Sequence, residues 1–267
     1  MLNQIKLFDV NKRKIRCGPK RDGGYILLDE ISRNTDTLFC FGVENNIDFE
    51  LEFIKKFKPK QNILFDHTID NLPKKKLKNM KFIKKGLSDI KSKKYVTLDE
   101  ITKNSFKNNI LKMDIEYDEW KIFEKVSTKT LLKFKMIIVE FHFFFLDLKD
   151  VDAKNVLTPY FKNFSINNYK KINQMLIKKY QNVLEKLNQN FIPFHLSANN
   201  SLPLKKIKGK FIPQLLEFSY VRKDLISKPK ISKKILPIKN LDYPNKPYKP
   251  DFKYFYPFKS YAKKTSN

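Results

Sequence analysis

The chain has 267 residues and carries 55 lysines and arginines against 28 aspartates and glutamates, which gives a formal net charge of +27 at pH 7. Such a charge is typical of nucleic-acid-binding proteins, but only five of the basic residues are arginine, the residue that nucleic-acid surfaces usually favour. Because the lysines are spread along the whole chain, nucleic acid is disfavoured as a partner.

The length suits one large core, and we expect a domain at 1–227 followed by an extended tail at 228–267 that is rich in lysine, proline and aromatic residues. Two cysteines are too few for a disulfide framework and lack zinc-type spacing. The first residues lack the apolar segment of a signal peptide, and the most apolar run, 136–148, is short and interrupted by charge. We therefore expect a cytoplasmic protein without a membrane span.

The first elements indicate a turn, a strand and the start of a βαβ unit. The run RCGPKRDGGYILLDE predicts a turn followed by the short strand YILL, and its two adjacent glycines either let the backbone approach a ligand or simply make a hairpin turn. TLFCFGV then predicts a buried strand that ends at Gly42, and ENNIDFELEFIKKF predicts a helix. The acidic start of that helix and the absence of G-x-G-x-x-G disfavour a pyrophosphate ligand.

Two further strands are predicted downstream. NILFDHTI forms a strand that ends in Asp66 and His67, and an acid at this point is suited to a ribose hydroxyl, with a helix cap as the alternative. KFIKKGL is the third strand, and TLDE at 97–100 has the spacing of a capping box, so its acids are interpreted as structural.

The stretch NILKMDIEYDEW combines a fourth strand with carboxylates at its exit. If the strand continues through Glu116, then Asp114 and Glu116 point to the same face, because side chains alternate along a strand. Asp118 and Glu119 suit the first turn of the following helix. The apolar run KMIIVEFH at 135–142 predicts a central strand.

The regular alternation stops after residue 142, where we expect an insertion at about 147–188. Its second half, 168–188, predicts an amphipathic helix that is a candidate lid or dimer element, so a homodimer is left open. The apolar side of this helix consists of Ile172, Met175, Leu176, Val183, Leu184 and Leu187. Two last strands, NFIPFHL and QLLEFSYVR, complete an α/β fold with a Rossmann-like, mostly parallel seven-stranded sheet and helices on both faces.

All three histidines fall at predicted strand exits, and the exits of a doubly wound sheet share one rim. The sequence therefore predicts a common crevice, although a lone histidine is more often structural. Its residues would be Asp66, Asp114, Glu116, Glu140, His142 and His195.

Several of these motifs, FGVENNIDFELEF, LFDHTI, LKMDIEYDEW, IIVEFHFF and PFHLSANN together with DGGYILLD, resemble the FkbM-type branch of class I S-adenosylmethionine-dependent methyltransferases over about residues 15–225. The resemblance implies S-adenosylmethionine as the cofactor. The implied cofactor-binding residues are Gly24, Tyr25, Phe41, Gly42, Val43, Asp66, His67, Gly86, Leu87, Asp89, Asp114 and Ile115. Among them, the loop 41–43 would contact the cofactor, Asp66 the ribose, the residues from Gly86 onward the adenine, and Asp114 the methionine part.

The implied reaction is methylation of an acceptor oxygen, which requires a base for the hydroxyl proton. His142 is the first choice, because an imidazole of near-neutral pKa can accept a proton at cellular pH. Glu116 or Glu140 would orient it or act instead, and His195 would lie on the substrate side. A divalent metal held by these acids is a less favoured alternative, and no metal ligand is assigned.

The resemblance also implies a small polar acceptor, and we favour a nucleotide-linked sugar or substituent for a bacterial surface, or capsular, polysaccharide. The alternatives are an RNA methyltransferase and a non-catalytic basic protein that binds membranes or an anionic polymer through its tail.

Overall fold

A computed structural model of the chain describes residues 5–144, 169–207, 209–233 and 236–252. Within these ranges the strands are β1 Phe8–Asp9, β2 Lys14–Cys17, β3 Tyr25–Leu28, β4 Thr37–Phe41, β5 Gln61–Phe65, β6 Met80–Ile83, β7 Gly86–Leu87, β8 Tyr95–Val96, β9 Asn109–Met113, β10 Phe134–His142, β11 Phe191–Ala198, β12 Lys205–Ile207, β13 Lys210–Ile212, β14 Leu215–Arg222 and β15 Lys230–Ile231. The helices are α1 Asp29–Ser32, α2 Asp48–Phe57, α3 Leu98–Thr102, α4 Glu119–Lys125, α5 Thr128–Leu131 and α6 Tyr169–Asn190.

Seven strands form the central sheet, in the order β11-β14-β10-β9-β4-β5-β6. Strand β14 runs antiparallel to both of its neighbours, and the other neighbouring pairs are parallel. The predicted Rossmann-like, mostly parallel seven-stranded sheet is therefore confirmed. Chain order reverses between β4 and β9, and ligands of such sheets bind in the crevice at the carboxyl ends of the strands at this switch point.

Helices cover both faces of this sheet. On one face α2 presents Phe49, Phe53 and Phe57 at helical spacing, and these rings are buried together with residues of the β2–β3 hairpin. On the other face α4 and α6 pack against β10 and β11. The predicted helix at 168–188 is confirmed, but Met175 was wrongly assigned to its apolar side, because 51% of this residue is exposed.

The strand exits differ from the prediction in two places. The third predicted strand is split into β6 and β7 by a tight turn in which the Lys85 N–H donates to the Ile83 carbonyl over 2.7 Å. The fourth strand, β9, ends at Met113 and does not reach Glu116, because the backbone turns into the left-handed region at Glu116 (φ 57°) and Tyr117 (φ 76°). The expected alternation of Asp114 and Glu116 on one strand face is therefore wrong.

The region between the last two strands of the sheet forms the β12–β13 hairpin, which the sequence did not predict. The tail begins with β15, which pairs with β1, and its residues 236–252 contact the sheet through Asp242 and Asn245. The first half of the predicted insertion, 147–167, lies outside the described residues. None of the described helices has both the length and the apolar character needed to cross a bilayer.

Candidate active site at the strand exits

Three neighbouring strands are held together where they end. The Asp114 N–H donates to the Phe41 carbonyl and the Gly42 N–H to the Phe65 carbonyl, each over 3.2 Å. Gly42 adopts φ +70°, and a Cβ atom there would lie 1.5 Å from the carbonyl oxygen of Asp114. Only glycine fits this close approach, so Gly42 fixes the positions of the acids that follow β5 and β9.

A cavity of about 340 Å³ opens at this point of the sheet. Its apolar lining residues include Phe41 and Phe65, whose buried rings stack 4.5 Å apart. Tyr95, which the sequence did not single out, forms part of the wall. The predicted cofactor residues that line this cavity are Phe41, Gly42, Asp66, His67, Leu87, Asp114 and Ile115, and Glu116 of the predicted catalytic group joins them.

Asp66 is held rigidly at the rim of this first cavity. Its Oδ1 accepts from the Thr68 N–H and hydroxyl over 2.7 and 2.6 Å, and its Oδ2 accepts from the Glu44 N–H over 2.9 Å. Burial acts to raise the pKa of Asp66, but these hydrogen bonds outweigh it, so the pKa lies below its usual value. The ionised oxygen Oδ2, with a single donor, can accept another hydrogen bond.

A second cavity of about 680 Å³ shares Gly42, Glu44 and Asp114 with the first. It contains two further predicted cofactor residues, Val43 and Tyr25, and the Tyr25 hydroxyl donates to Asp114 Oδ2 over 3.0 Å. Part of its wall comes from the tail, which contributes Asn245, Lys246, Pro247 and Tyr248.

Three predicted cofactor residues lie outside both cavity linings. Gly24 lies in the turn directly before Tyr25, where a Cβ would meet the side chain of Arg16. Gly86 lies behind the first cavity, and a Cβ there would lie 2.8 Å from Nδ1 of His67. Asp89 follows β7, and its Oδ1 accepts from the adjacent Ser88 hydroxyl over 3.3 Å.

His142, the last residue of β10, is held between carboxylates. Its Nδ1 lies 3.1 Å from Glu119 Oε1, and its Nε2 lies 3.2 Å from Glu116 Oε2 and 3.9 Å from Glu140 Oε1. Burial acts to lower the pKa of His142, but hydrogen bonds to Glu116 and Glu119 and the neighbouring negative charges raise it to about 12. These contacts favour an imidazolium over the neutral imidazole predicted from the sequence, and His142 is not among the lining residues of either cavity.

Glu140 faces another buried acid across the sheet. It pairs in register with Glu217 of β14, and both residues are nearly inaccessible to solvent. Glu140 accepts from the Asn199 side-chain amide over 3.1 Å, and Glu217 accepts from the Asn245 amide over 2.7 Å. Burial and the neighbouring acids raise the pKa of Glu140 well above its usual value. Burial likewise raises the pKa of Glu217, to about 8.

His195 does not reach the rim, so its predicted place at a strand exit is wrong. It lies inside β11, opposite Ser219 of β14, and its Nε2 is 2.7 Å from Asp242 Oδ1. Both side chains are almost completely buried, which makes this contact an attachment point for the tail.

Two groups of three side chains approach within 4.8 Å of one another, namely Asp114, Glu140 and His142, and Asp22, Glu140 and Glu217. Oxygen and imidazole ligands of this kind would suit a hard divalent ion. In the first group, however, Tyr25 donates to Asp114, Asn199 donates to Glu140, and Nε2 of His142 contacts Glu116. These protein contacts account for the arrangement of the first group, and we assign no metal-ligand role to its three residues.

Sequence reasoning missed three charged residues that surround the site. Lys112 and Glu217 are charges flanked by apolar residues within strands, and this interruption is a signal that could have identified them. The Lys112 ammonium donates to the Gly42 carbonyl over 2.8 Å. Glu119 was assigned only to a helix dipole, although its side chain is fully buried against His142.

Comparison with known families supports an enzymatic interpretation of these cavities. The family model described as "Methyltransferase FkbM domain" matches residues 11–202 of the chain. Among curated proteins, none matches the sequence. The matched range includes the residues of the first cavity, whereas Glu217 and the tail residues of the second cavity lie beyond it.

Proposed function

Because the chain belongs to the FkbM methyltransferase family, we propose that it transfers a methyl group from S-adenosylmethionine to a hydroxyl of a small polar acceptor. The observation that carries this proposal is the pair of cavities that meet at Asp114. One cavity has apolar residues in its wall and an acidic rim, and the other combines charged side chains with apolar and aromatic ones, so donor and acceptor can reach the same carboxylate from two sides.

The first cavity suits the adenosine part of the cofactor. Its apolar lining, which includes Phe41, Phe65, Leu87 and Ile115, suits the adenine, and Asp66 offers an ionised oxygen for the ribose hydroxyls. Glu44 and Asp114 lie where the two cavities meet, and carboxylates there attract the cationic sulfonium. S-adenosylmethionine carries no phosphate, which agrees with an acidic entrance to the site.

The second cavity suits an acceptor that combines hydroxyl groups with negative charge. Arg21, Lys74 and Lys246 supply cationic donors, and Asp22 supplies a hydrogen-bond acceptor. Tyr248 is 79% exposed beside them and presents an aromatic face to a ring. A nucleotide-linked sugar has all of these features, and we propose that the methylated product serves a surface polysaccharide made from cytoplasmic precursors.

Methyl transfer to oxygen needs an aligned hydroxyl and a group that takes its proton. S-adenosylmethionine supplies the electrophilic methyl group. His142 already holds a proton between Glu116 and Glu119, so it orients Glu116 at the cavity and does not act as the base. Of the acids predicted for this role, Glu140 has no hydrogen bond to a cation among the described residues. It lines neither cavity, but a carboxylate oxygen of Asp114, which lines both, lies within 4.8 Å of it, and we propose that the proton passes by way of Asp114 to Glu140.

The test is calorimetric titration of the full chain with S-adenosylmethionine, with Asp66→Asn as the variant and Asp70→Asn, an exposed acid nearby, as the control. Loss of a charged hydrogen bond to the ribose should weaken binding by about 10- to 100-fold, since such a bond contributes roughly 1.5–3 kcal/mol. The control should bind normally, and thermal unfolding of both variants checks the fold. Absence of binding to the unmodified chain would overturn the proposal.

A further inference from the structure

The carboxyl groups of Glu140 and Glu217 form a buried pair on adjacent strands. They stand directly opposite each other in the register of β10 and β14, and one oxygen of each lies within 4.8 Å of a carboxylate oxygen of Asp22. Among the described residues, their hydrogen-bond donors are the neutral amides of Asn199 and Asn245. Two carboxylates so close together and so well buried cannot both remain ionised without a compensating positive charge.

The nearby cations have closer partners than the pair. Lys112 donates to the Gly42 carbonyl, and the Lys246 ammonium lies 3.5 Å from Asp22. Nε2 of His142 lies 3.9 Å from Glu140 Oε1, beyond hydrogen-bond distance, but 3.2 Å from Glu116 Oε2. The titratable and charged groups that face the pair are Arg16, Asp22, Tyr25, Lys112, Asp114, His142 and Lys246.

We propose that the Glu140–Glu217 pair holds a proton in the free protein and releases it when the sulfonium of S-adenosylmethionine binds beside Asp114. This inference rests on the proposed function. Asp114 lines both cavities, and one of its carboxylate oxygens lies within 4.8 Å of Glu140. A positive charge bound there favours the ionised form of the neighbouring carboxyl group, and burial strengthens the effect.

Release of this proton on cofactor binding leaves Glu140 ionised, so it can accept the proton that the acceptor hydroxyl loses. The protons of the whole reaction are then balanced. As the acceptor oxygen bonds to the methyl carbon, the carbon–sulfur bond breaks and its electron pair stays on sulfur, which becomes an uncharged thioether. The acceptor hydroxyl loses its proton at the same time, and the pair takes up one proton. The product complex thus has the same protonation as the free protein, and the one proton released per turnover leaves when the cofactor binds.

The experiment titrates the full chain with S-adenosylmethionine by calorimetry at pH 7 in three buffers that differ in ionisation enthalpy. The slope of the observed enthalpy against the buffer ionisation enthalpy measures the protons released, and we expect roughly one proton per bound cofactor. S-adenosylhomocysteine has the same amino and carboxyl groups but no charge on sulfur, so it should bind with almost no release. Because this comparison uses the unmodified chain, it does not depend on the folding of a variant.

Variants then identify the source of the proton. Glu140→Gln should bind S-adenosylmethionine but lose the proton release, whereas Glu124→Gln, an exposed acid on α4, should retain it. The inference would be overturned if S-adenosylmethionine bound without proton release, if both ligands released protons equally, or if Glu140→Gln released a full proton. In each of these cases the proposed function would still stand. A chain that binds neither ligand would instead contradict the proposed function.

Discussion

Substitution of Glu119 tests whether His142 is an imidazolium. The fully buried Glu119 Oε1 accepts from the Ile115 N–H over 3.0 Å and lies 3.1 Å from His142 Nδ1. Glu119→Gln keeps the volume and an acceptor oxygen but removes the charge. A hydrogen bond to a charged group contributes about 1.5–3 kcal/mol, and one pKa unit corresponds to about 1.4 kcal/mol, so the pKa of His142 should fall by about one to two.

The same substitution should change the pH dependence of stability. The pKa of His142 is raised from 6.5 to about 12 in the folded chain, so the stability it contributes is complete below pH 6.5 and is lost as pH rises toward the folded value. Glu119→Gln should therefore be less stable than the unmodified chain by a nearly constant amount at neutral and acidic pH, and the difference should shrink only as the pH rises through the folded pKa of His142, which is about 12 in the unmodified chain and lower in the variant.

The assay is a proton NMR titration of the histidine Hε1 resonances, which is practical because the chain has only three histidines. Single substitutions of His67 and His195 assign the three signals, and Glu124→Gln on the same helix is the control. An unmodified chain in which His142 titrates near pH 6.5, or one in which Glu119→Gln leaves its titration unchanged, would refute the imidazolium assignment.

Three further substitutions probe the framework of the site. Gly42→Ala should destabilise the chain more than Gly209→Ala, since both positions have positive φ (70° and 75°) but only a Cβ at Gly42 would clash with backbone. We expect a loss of about 1–2 kcal/mol from the backbone strain in each variant and roughly 1–3 kcal/mol more from the clash in Gly42→Ala. Chemical denaturation measures both losses. Glu217→Gln should have the same stability as the unmodified chain below pH 4.5 and exceed it by up to roughly 5 kcal/mol above pH 8, because the raised pKa makes the ionised acid costly. Asp242→Ala removes one partner of a buried contact and should cost about 3–5 kcal/mol, with faster hydrogen exchange over 236–252.

Each of these has an outcome that contradicts it. Equal losses for the two glycine variants would show that the backbone at Gly42 can move aside. A stability difference between Glu217→Gln and the unmodified chain that does not vary with pH would mean that folding does not raise the pKa of Glu217. Unchanged hydrogen exchange in Asp242→Ala would show that other contacts hold the tail.

The sheet could be predicted because its strands are buried on both faces and appear as apolar runs. The run at 135–142 falls within β10, and the acids or glycine at the ends of β4, β5 and β9 lie together as expected. The positions of Glu116 and Tyr117 could not be predicted, because their left-handed turn is made by residue types that rarely adopt it.

The buried pair of Glu140 and Glu217 could not be predicted from the sequence either, for a different reason. Glu140 and Glu217 are brought together by the register of two antiparallel strands, and a shift of one residue would place them on opposite faces of the sheet. Asn245, which donates to Glu217, comes from a tail whose proline-rich composition predicts only an extended chain. Contacts between residues distant in sequence depend on packing that composition does not specify.

The contacts of the tail also bear on how the protein matures during synthesis. Domains fold from the N-terminus as the chain emerges from the ribosome, and the first cavity needs no residue beyond 118 for its lining. The second cavity needs Asn245 to Tyr248, and β1 must wait for residues 230–231 before it can pair. The residues that line the first cavity are therefore translated well before the tail residues that complete the wall of the second.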